Sequence, residues 1–241
     1  MNYALIFAGG VGKRMNSRAL PKQFLEIHGK PIIIHTIENF SNHPEIDAIC
    51  LVCVADWMEH MQELLNRFHI KKVKWLVPGG ETALESQYLG LCAIQNSEQY
   101  NGGDIVLIHD GVRPLIDRKL IHDCIDGVNM YGSAITVAPA VETIILSDEK
   151  GEISDTVERD KCKLARAPQS FRIGDILKAH EQARNEAEGP FIDSTSLMLH
   201  YGYPLHTVEG PAENIKVTNP ADFFICRALL DAIENSQIFG I

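Results

Sequence analysis

Three glycines stand close to basic residues near the start of the chain, in a spacing that suits phosphate binding. The stretch reads Ala8-Gly9-Gly10-Val11-Gly12-Lys13-Arg14 and continues to Pro21-Lys22. Glycine lets backbone N–H groups approach an anion closely, and Arg14 and Lys22 add positive charge. Because the apolar run at residues 3–7 reads as a buried strand, we predict a phosphate-binding loop at the carboxyl end of the first strand of an α/β sheet.

Two common phosphate-binding loops do not match this stretch. A P-loop requires glycine five residues before Gly12 and Ser or Thr after Lys13, where the chain has Phe7 and Arg14. A dinucleotide fingerprint requires its last glycine to lead into a helix, but the next predicted helix begins at about residue 31. Taken alone, the stretch is also compatible with a glycine turn flanked by solvated cations.

Two further predicted strands also end in glycine with polar residues. One is followed by Gly79-Gly80-Glu81 and Ser86, the other by Asp110-Gly111 and Arg113. Ends of parallel strands meet at one edge of a sheet, so we expect a single site there. Asp110 is the candidate Mg²⁺ ligand, because this ion usually binds one or two carboxylates together with phosphates. A purely structural role would instead have Asp110 cap its loop or pair with Arg113.

Strands and helices alternate through the first half of the chain, which predicts βαβ units. Strands are expected at 3–7, 48–54, 73–77 and 104–109, and helices at 31–40, 57–68, 82–94 and 119–130. We therefore predict an α/β, Rossmann-like fold: a mainly parallel sheet with helices on both faces, in a single domain over 1–241.

The pattern changes after residue 130. Short extended segments at 134–139, 142–146 and 153–157, with turn residues at 148–151, predict a β-arm projecting at about 140–166. Such an arm is a natural place for contact between subunits. Helices are expected again at 173–187, 193–201 and 220–234, with a strand at 205–208.

Composition limits the class of protein. The net charge of −10 argues against a nucleic-acid or membrane-surface partner, because both require a basic face. No apolar run is long enough to span a membrane, so we expect a soluble, cytoplasmic protein. Cys50 and Cys53 form a CxxC pattern, but residues three apart on a strand face opposite sides. We therefore expect reduced thiols there and no metal or redox site.

Together, the motifs identify a family resemblance that covers essentially the whole chain. They are the first glycine loop, Pro21-Lys22-Gln23, Gly79-Gly80 with Ser86, His109-Asp110-Gly111-Val112-Arg113-Pro114, Pro168-Gln169-Ser170-Phe171 and Asn214-Ile215-Lys216-Val217-Thr218. This set resembles the cytidylyltransferases of polyol phosphates. The resemblance implies transfer of CMP from CTP to a polyol phosphate, with Mg²⁺ and with pyrophosphate as the second product.

The resemblance also implies a role for each matching residue. The nucleotide would be lined by Ala8, Gly9 and Gly10, the triphosphate held by Arg14 and Lys22, and the cytosine surrounded by Gly80, Glu81 and Ser86. Asp110 and Gly111 would lie near the ribose and the metal, Lys216 would act on the α-phosphate, and Arg113 and Asp193 would contact the second substrate. Thr143 and Arg159 would receive its phosphate from the arm of a neighbouring subunit, which implies a homodimer.

Departures from the family pattern leave the acceptor open. Ala83 stands where arginine is common and Ala167 where threonine is common, and residues 191–194 lack the usual threonine before Asp193. Residues 29–40 look more like the ribitol 5-phosphate branch, which we favour over the 2-C-methyl-D-erythritol 4-phosphate branch of isoprenoid synthesis. The sequence is also compatible with a nucleotidyltransferase for a different NTP and a sugar phosphate, and with a nucleotide-binding homologue without catalysis.

Overall fold

Among residues 1–8 and 20–239, which the computed structural model describes, the chain forms eleven strands and seven α-helices. The strands are β1 (Asn2–Ala8), β2 (Glu26–Ile27), β3 (Lys30–Pro31), β4 (Ala48–Cys53), β5 (Val73–Pro78), β6 (Ile105–Asp110), β7 (Ser133–Pro139), β8 (Ile144–Ser147), β9 (Ile153–Val157), β10 (Lys163–Arg172) and β11 (Thr207–Glu209). The helices are α1 (Ile32–Ser41), α2 (Met58–Arg67), α3 (Ala83–Gln95), α4 (Arg118–Tyr131), α5 (Ile173–Glu186), α6 (Ser194–His200) and α7 (Pro220–Phe239).

Seven strands form the central sheet, in the order β11-β7-β10-β6-β1-β4-β5. Strand β1 pairs in parallel with β4 and β6, β4 with β5, and β7 with β11. Strand β10 runs antiparallel to both of its neighbours in this sheet, β6 and β7. The predicted mainly parallel sheet is confirmed, and it places the ends of β1, β5 and β6 at the same edge.

Alternation along β1 separates two hydrophobic cores. Ala4 and Ile6 pack with residues of α1, α2 and α4 on one face, whereas Tyr3 and Leu5 pack with residues of α3, α5 and α6 on the other. Every one of these β1 side chains is fully buried, as expected for a central strand covered on both faces. Helices therefore cover both faces of the sheet, as predicted.

The predicted CxxC pair is split between the two cores. Cys50 packs on the α3 face and Cys53 on the α1 face. Burial raises the pKa of the Cys50 thiol to about 12 and that of Cys53 to about 11. Both thiols are therefore protonated at neutral pH and serve as apolar core residues.

Strand β10 is the main element that the sequence pattern does not predict. It lies between β6 and β7 and contains Pro168, a residue that normally argues against a central strand. The register with β7 shifts between Ala165 and Gln169, and this irregularity accommodates the proline. Residues 163–166, which the sequence assigns to the arm, belong to this strand.

The arm itself is a separate two-stranded hairpin of β8 and β9, as the turn residues at 148–151 predict. Its root is the pair Pro139 and Lys163, where β7 and β10 meet. Several large apolar side chains on and beside the hairpin are exposed, among them Val141, Leu146 and Ile153. In the part of the chain that the structure describes, no helix has the length and apolarity needed to cross a membrane.

Candidate active site

A cavity of about 230 Å³, here called the edge cavity, lies where β1, β5 and β6 end. Ala8, Gly80 and Asp110 line it at the three strand ends. Its other polar lining residues are Lys22, Gln23, Glu81, Thr82, Ser86 and Lys216. The structure therefore brings together most of the residues that the sequence assigns to the nucleotide and to catalysis. The predicted residues Gly9, Gly10 and Arg14 lie outside the described part of the chain.

Lys22 is held at the edge cavity by its neighbours. It begins a short 3₁₀ helix, Lys22–Phe24, that follows Pro21. The Gln23 side chain is buried and donates from Nε2 to the Ala8 carbonyl oxygen, at 2.9 Å. Phe24 is also buried and packs against Trp57. This segment is thereby fixed to the end of β1, with Lys22 on the cavity side.

The turn after β5 is held by the first turn of α3. The backbone N–H of Gly80 donates to Ser86 Oγ at 3.1 Å, and that of Glu81 donates to Glu85 Oε2 at 2.9 Å. Thr82 caps the helix by accepting from the Glu85 N–H. Ser86 is buried, and its hydroxyl orders the turn through the hydrogen bond that it accepts from Gly80. Gly80, Glu81 and Ser86 thus form one preorganised wall of the edge cavity.

Asp110 pairs with two cations at once. Its Oδ1 lies 2.5 Å from Lys216 Nζ and its Oδ2 lies 2.8 Å from Arg113 Nε. Burial alone would raise the pKa of this carboxyl, but the charges and hydrogen bonds of Lys216 and Arg113 outweigh it and hold the pKa below its ordinary value. Asp110 is therefore ionised at neutral pH, and it forms the pair with Arg113 that a structural role predicts.

The segment that carries Lys216 is anchored on both sides of that lysine. Asn214 is fully buried and donates from Nδ2 to the Ala167 carbonyl at 2.7 Å. Val217 is fully buried as well, and its N–H donates to the Val112 carbonyl at 3.0 Å. These anchors bring Lys216 to Asp110, although the two are far apart in sequence.

Gly111 serves the packing of the loop that follows β6. Its N–H donates to the Phe7 carbonyl at 2.9 Å, so this amide is already used within the fold. A Cβ at this position would lie 2.6 Å from Ile33 Cδ1 and 3.0 Å from Ala8 Cβ. Glycine is required here for close approach to β1, and that approach sets the position of Asp110.

A second cavity of about 210 Å³, here called the β10 cavity, adjoins the first. Phe7, Ala83, Asp110 and Lys216 line both cavities and mark the border between them. The rest of the β10 cavity includes Arg113 and Asp193, as the sequence predicts, and the unpredicted residue Arg166. Two adjoining cavities thus contain residues predicted for the nucleotide and two of the four residues predicted for the acceptor.

Asp193 also has a structural part in the β10 cavity. It is the N-cap of α6, where its Oδ1 accepts from the Ser196 N–H at 2.9 Å. Its Oδ2 accepts from Gln169 Nε2 at 2.7 Å, and Gln169 Oε1 accepts from the Thr195 N–H at 3.0 Å. The Pro168-Gln169 motif thereby fixes the start of α6 against β10, and with it one wall of the cavity.

Thr143 and Arg159 do not reach either cavity. They line a third cavity of about 350 Å³ on the arm, together with Glu158 and Asp160. None of these residues lines the edge cavity or the β10 cavity. Within one chain, the predicted phosphate-binding pair is therefore separated from the remaining site residues.

His109 does not provide acid or base chemistry at neutral pH. It is fully buried, and burial lowers its pKa to about 4, although its hydrogen bond to the Arg113 carbonyl works in the opposite direction. Its Nε2 lies 3.0 Å from that carbonyl oxygen. The neutral ring therefore supports the loop from Asp110 to Arg113.

Asp110 is the candidate metal ligand that the structure places in the edge cavity. Among the described residues, no group of three or more His, Cys, Asp or Glu side chains could hold a metal ion. A single carboxylate suits Mg²⁺ only when phosphate oxygens and water supply the other ligands. The donor set therefore fits a metal that arrives with a triphosphate and does not fit a site built by protein alone.

Comparison with known proteins relates the whole chain to one family. Residues 3–232 match the family IspD, described as 2-C-methyl-D-erythritol 4-phosphate cytidylyltransferase. The chain is 51% identical to a ribitol-5-phosphate cytidylyltransferase of Vibrio parahaemolyticus, over 100% of both chains. It is 36% identical to a 2-C-methyl-D-erythritol 4-phosphate cytidylyltransferase of Clostridium botulinum, over 96% of this chain and 98% of that one.

Solved structures agree with this relation. The crystal structure of 4-diphosphocytidyl-2C-methyl-D-erythritol synthase from Anaerococcus prevotii superimposes with a TM-score of 0.82 at 26% identity. The match covers 95% of this chain and 96% of that one.

Proposed function

Because the chain belongs to the IspD family of cytidylyltransferases, we propose that it transfers CMP from CTP to D-ribitol 5-phosphate, giving CDP-ribitol and pyrophosphate. The observation that carries the acceptor is the full-length identity of 51% to a ribitol-5-phosphate cytidylyltransferase, against 36% to a methylerythritol phosphate enzyme. 2-C-methyl-D-erythritol 4-phosphate is the second candidate acceptor, because the family profile is described by that activity.

The reaction is a displacement at the α-phosphorus of CTP. An oxygen of the acceptor phosphate forms the new P–O bond, and the bond from the α-phosphorus to the bridging oxygen of the β-phosphate breaks. Pyrophosphate leaves with the electron pair of that bond. A phosphate monoester has a second pKa near 6 and is largely a dianion at pH 7, so the nucleophile needs no general base. This agrees with the neutral, buried state of His109.

Catalysis then consists of bringing two anions together and stabilising the charge that moves to the leaving group. Lys22 and Lys216 line the edge cavity and supply positive charge there. Lys216 also borders the β10 cavity, so it lies between the positions that we assign to the nucleotide and to the acceptor. We assign Arg14 to the same triphosphate on the strength of its position in the glycine loop.

Mg²⁺ is part of the proposal, with Asp110 as its protein ligand. When bound with the triphosphate, the ion would neutralise phosphate charge. Because both Asp110 oxygens pair with cations, Asp110 would contribute one ligand while the phosphates contribute most of the others.

We also propose a cytoplasmic homodimer in which each arm completes the site of the other subunit. The exposed apolar side chains of the hairpin support this arrangement, because such patches mark contact surfaces. The separation of Thr143 and Arg159 from the edge cavity supports it as well. Cytoplasmic location is consistent with the nucleotide substrate.

An acceptor panel tests the proposed function directly. Purified protein with CTP and Mg²⁺ should release pyrophosphate with ribitol 5-phosphate and form CDP-ribitol, detected by mass spectrometry. 2-C-methyl-D-erythritol 4-phosphate, other pentitol phosphates and unphosphorylated ribitol are the comparison acceptors, and ATP, GTP and UTP are the comparison nucleotides. Faster turnover with the methylerythritol acceptor would reverse the assignment. No turnover with any acceptor would favour a nucleotide-binding homologue.

A further inference from the structure

We propose that Arg166 determines acceptor specificity by donating hydrogen bonds to hydroxyl oxygens of the polyol phosphate. This inference rests on the proposed function and names a residue for its acceptor half. Arg166 lies on β10 and lines the β10 cavity but not the edge cavity.

The border between the two cavities fixes which end of the acceptor Arg166 can meet. The acceptor phosphate must reach the α-phosphorus of CTP, so it lies at the border, where Lys216 and Asp110 line both cavities. The carbon chain therefore extends away from the border into the β10 cavity. Arg166 lines only that cavity, so it meets the hydroxyl-bearing chain and not the reacting phosphate.

One nitrogen of the Arg166 guanidinium is hydrogen-bonded within the protein, and its other two nitrogens can donate to a ligand. Its Nη1 donates to the carbonyl oxygens of Asn214 at 2.7 Å and Ala212 at 3.1 Å. Within residues 1–8 and 20–239, Nη2 and Nε make no hydrogen bond and no carboxylate forms an ion pair with Arg166. A planar guanidinium fixed on one side presents its remaining donors in a set direction.

Other β10 side chains in this cavity offer less to a polyol. Ala165 and Ala167 carry no polar side-chain atom, and Gln169 uses its amide to bond Asp193 and the Thr195 N–H. Residue 167, which follows Arg166 in the chain, thus offers only a methyl group to this cavity. Among the β10 residues that line this cavity, Arg166 is the one with a charged donor group.

Arg113 is the neighbouring cation, but its surroundings differ. It donates to the same Asn214 carbonyl at 2.9 Å, and its Nε pairs with the Asp110 carboxylate. Burial and then the charge of Arg113 lower the pKa of Arg166, while Glu213 raises it. Among the described residues, Arg166 therefore carries a partly desolvated charge that Glu213 offsets only at a distance and that no carboxylate pairs with directly, and hydroxyl oxygens of a bound polyol would solvate it.

Arg166→Met and Arg166→Lys test the proposal in the full chain, with steady-state kinetics for both substrates. For Arg166→Met, the KM for ribitol 5-phosphate should rise about tenfold or more, because bonds from a charged donor are lost. The KM for CTP should stay within about twofold. The ratio of kcat/KM for ribitol 5-phosphate over the shorter erythritol 4-phosphate should fall, and Arg166→Lys should restore part of it.

The control and the opposing outcomes separate this proposal from a merely structural role. Lys119→Met removes an exposed cation that pairs with Asp123 on the surface of α4, and should leave every constant unchanged. An unchanged acceptor KM in Arg166→Met would overturn the proposal. Equal rises in both KM values would also overturn it, because they would show that Arg166 acts by holding the segment of Lys216. If Arg166→Met does not fold, the proposal is tested with Arg166→Lys, by the same ratio of kcat/KM for ribitol 5-phosphate over erythritol 4-phosphate.

Wild-type turnover distinguishes this inference from the proposed function. If wild-type protein uses ribitol 5-phosphate and Arg166→Met keeps the acceptor KM, only the role of Arg166 is wrong. If wild-type protein uses no acceptor in the panel, the proposed function fails, and the role of Arg166 fails with it.

Discussion

Lys216 Nζ lies 2.5 Å from Asp110 Oδ1, and this contact joins the ends of two segments that are distant in sequence. Arg113 holds the other oxygen of the same carboxylate at 2.8 Å. Asp110 and Lys216 both line the edge cavity and the β10 cavity. The ion pair therefore fixes a cation at the border where the two substrates would meet.

Asp110→Asn should disturb both the fold and the activity. The amide keeps the shape of the side chain but removes the negative charge with which Lys216 and Arg113 both pair. We expect the free energy of unfolding to fall by about 1–3 kcal/mol and kcat/KM to fall at least about tenfold, since Lys216 loses its anchor. Urea denaturation and the pyrophosphate assay measure the two effects.

Asp123→Asn is the matched control for that substitution. Asp123 pairs with Lys119 at 2.5 Å, but on the surface of α4, where the lysine side chain is 80% exposed. An exposed pair contributes about 0–1 kcal/mol, so stability and activity should hardly change. Equal effects of the two substitutions would show that the Asp110 pair has no special role.

Lys22→Ala and Lys216→Ala should each lower kcat by about 10²–10³-fold, because each removes positive charge beside the reacting phosphates. Far-UV circular dichroism should stay unchanged. Lys119→Ala removes an exposed lysine from α4 and serves as control. Near-wild-type turnover of either site variant would show that its lysine does not stabilise the transferred charge.

Stability should decrease as the pH falls from about 6.5 toward 4, and His180 should account for part of the loss. Burial, and secondly the charge of Arg184, lower its pKa from the ordinary 6.5 to about 4. The unfolded chain therefore binds the proton more tightly, so stability is fully present above pH 6.5 and is lost as the pH falls through this window. Between pH 6.5 and pH 4, protonation of His180 should lower the free energy of unfolding by about 3 kcal/mol.

His180→Gln checks this prediction, because it removes one titrating group and should flatten the curve of unfolding free energy against pH. His109 titrates in the same window and should leave a remaining slope. His122 is the control, since its hydrogen bond to Glu45 raises its pKa. The stabilisation from His122 is fully present below pH 6.5 and is lost only as the pH rises above it, so His122→Gln should leave the slope between pH 6.5 and 4 unchanged. Identical slopes for wild type and His180→Gln would contradict the assignment.

Local patterns in the sequence predict much of the fold. Short apolar runs and helical patterns, with glycine at several strand ends, place β1, β4, β5 and β6 and the helices between them close to their observed bounds. β10 is not predicted, because Pro168 and the polar residues around it do not resemble a central strand. Its place in the sheet depends on pairing with β6 and β7, which no local pattern shows.

The site residues also divide into those that the local sequence predicts and those that it does not. Residues next to glycine turns, such as Lys22, Gly80 and Asp110, are predicted from the chain and meet in one cavity. Arg166 is not predicted, because its partners Ala212 and Asn214 lie 46 and 48 residues further along the chain. The only local signal is its position one residue before the Ala-Pro-Gln sequence that begins at Ala167.

The proposed shared site makes a quantitative prediction for mixtures of inactive variants. Arg159 lies on the arm and Lys216 at the edge cavity, so in a dimer with exchanged arms one site would use Lys216 of one subunit and Arg159 of the other. Arg159→Ala and Lys216→Ala should each be nearly inactive alone. After subunit exchange at equal concentrations, half of the dimers are mixed and each has one intact site. Activity should then recover to about a quarter of the wild-type value.

A mixture of Lys216→Ala with Lys22→Ala is the control. Both changes lie in the same cavity, so every site of a mixed dimer keeps one of them and no activity should return. Full activity of Arg159→Ala, or no recovery after exchange that native mass spectrometry has verified, would show that each chain builds its site without the arm of its partner.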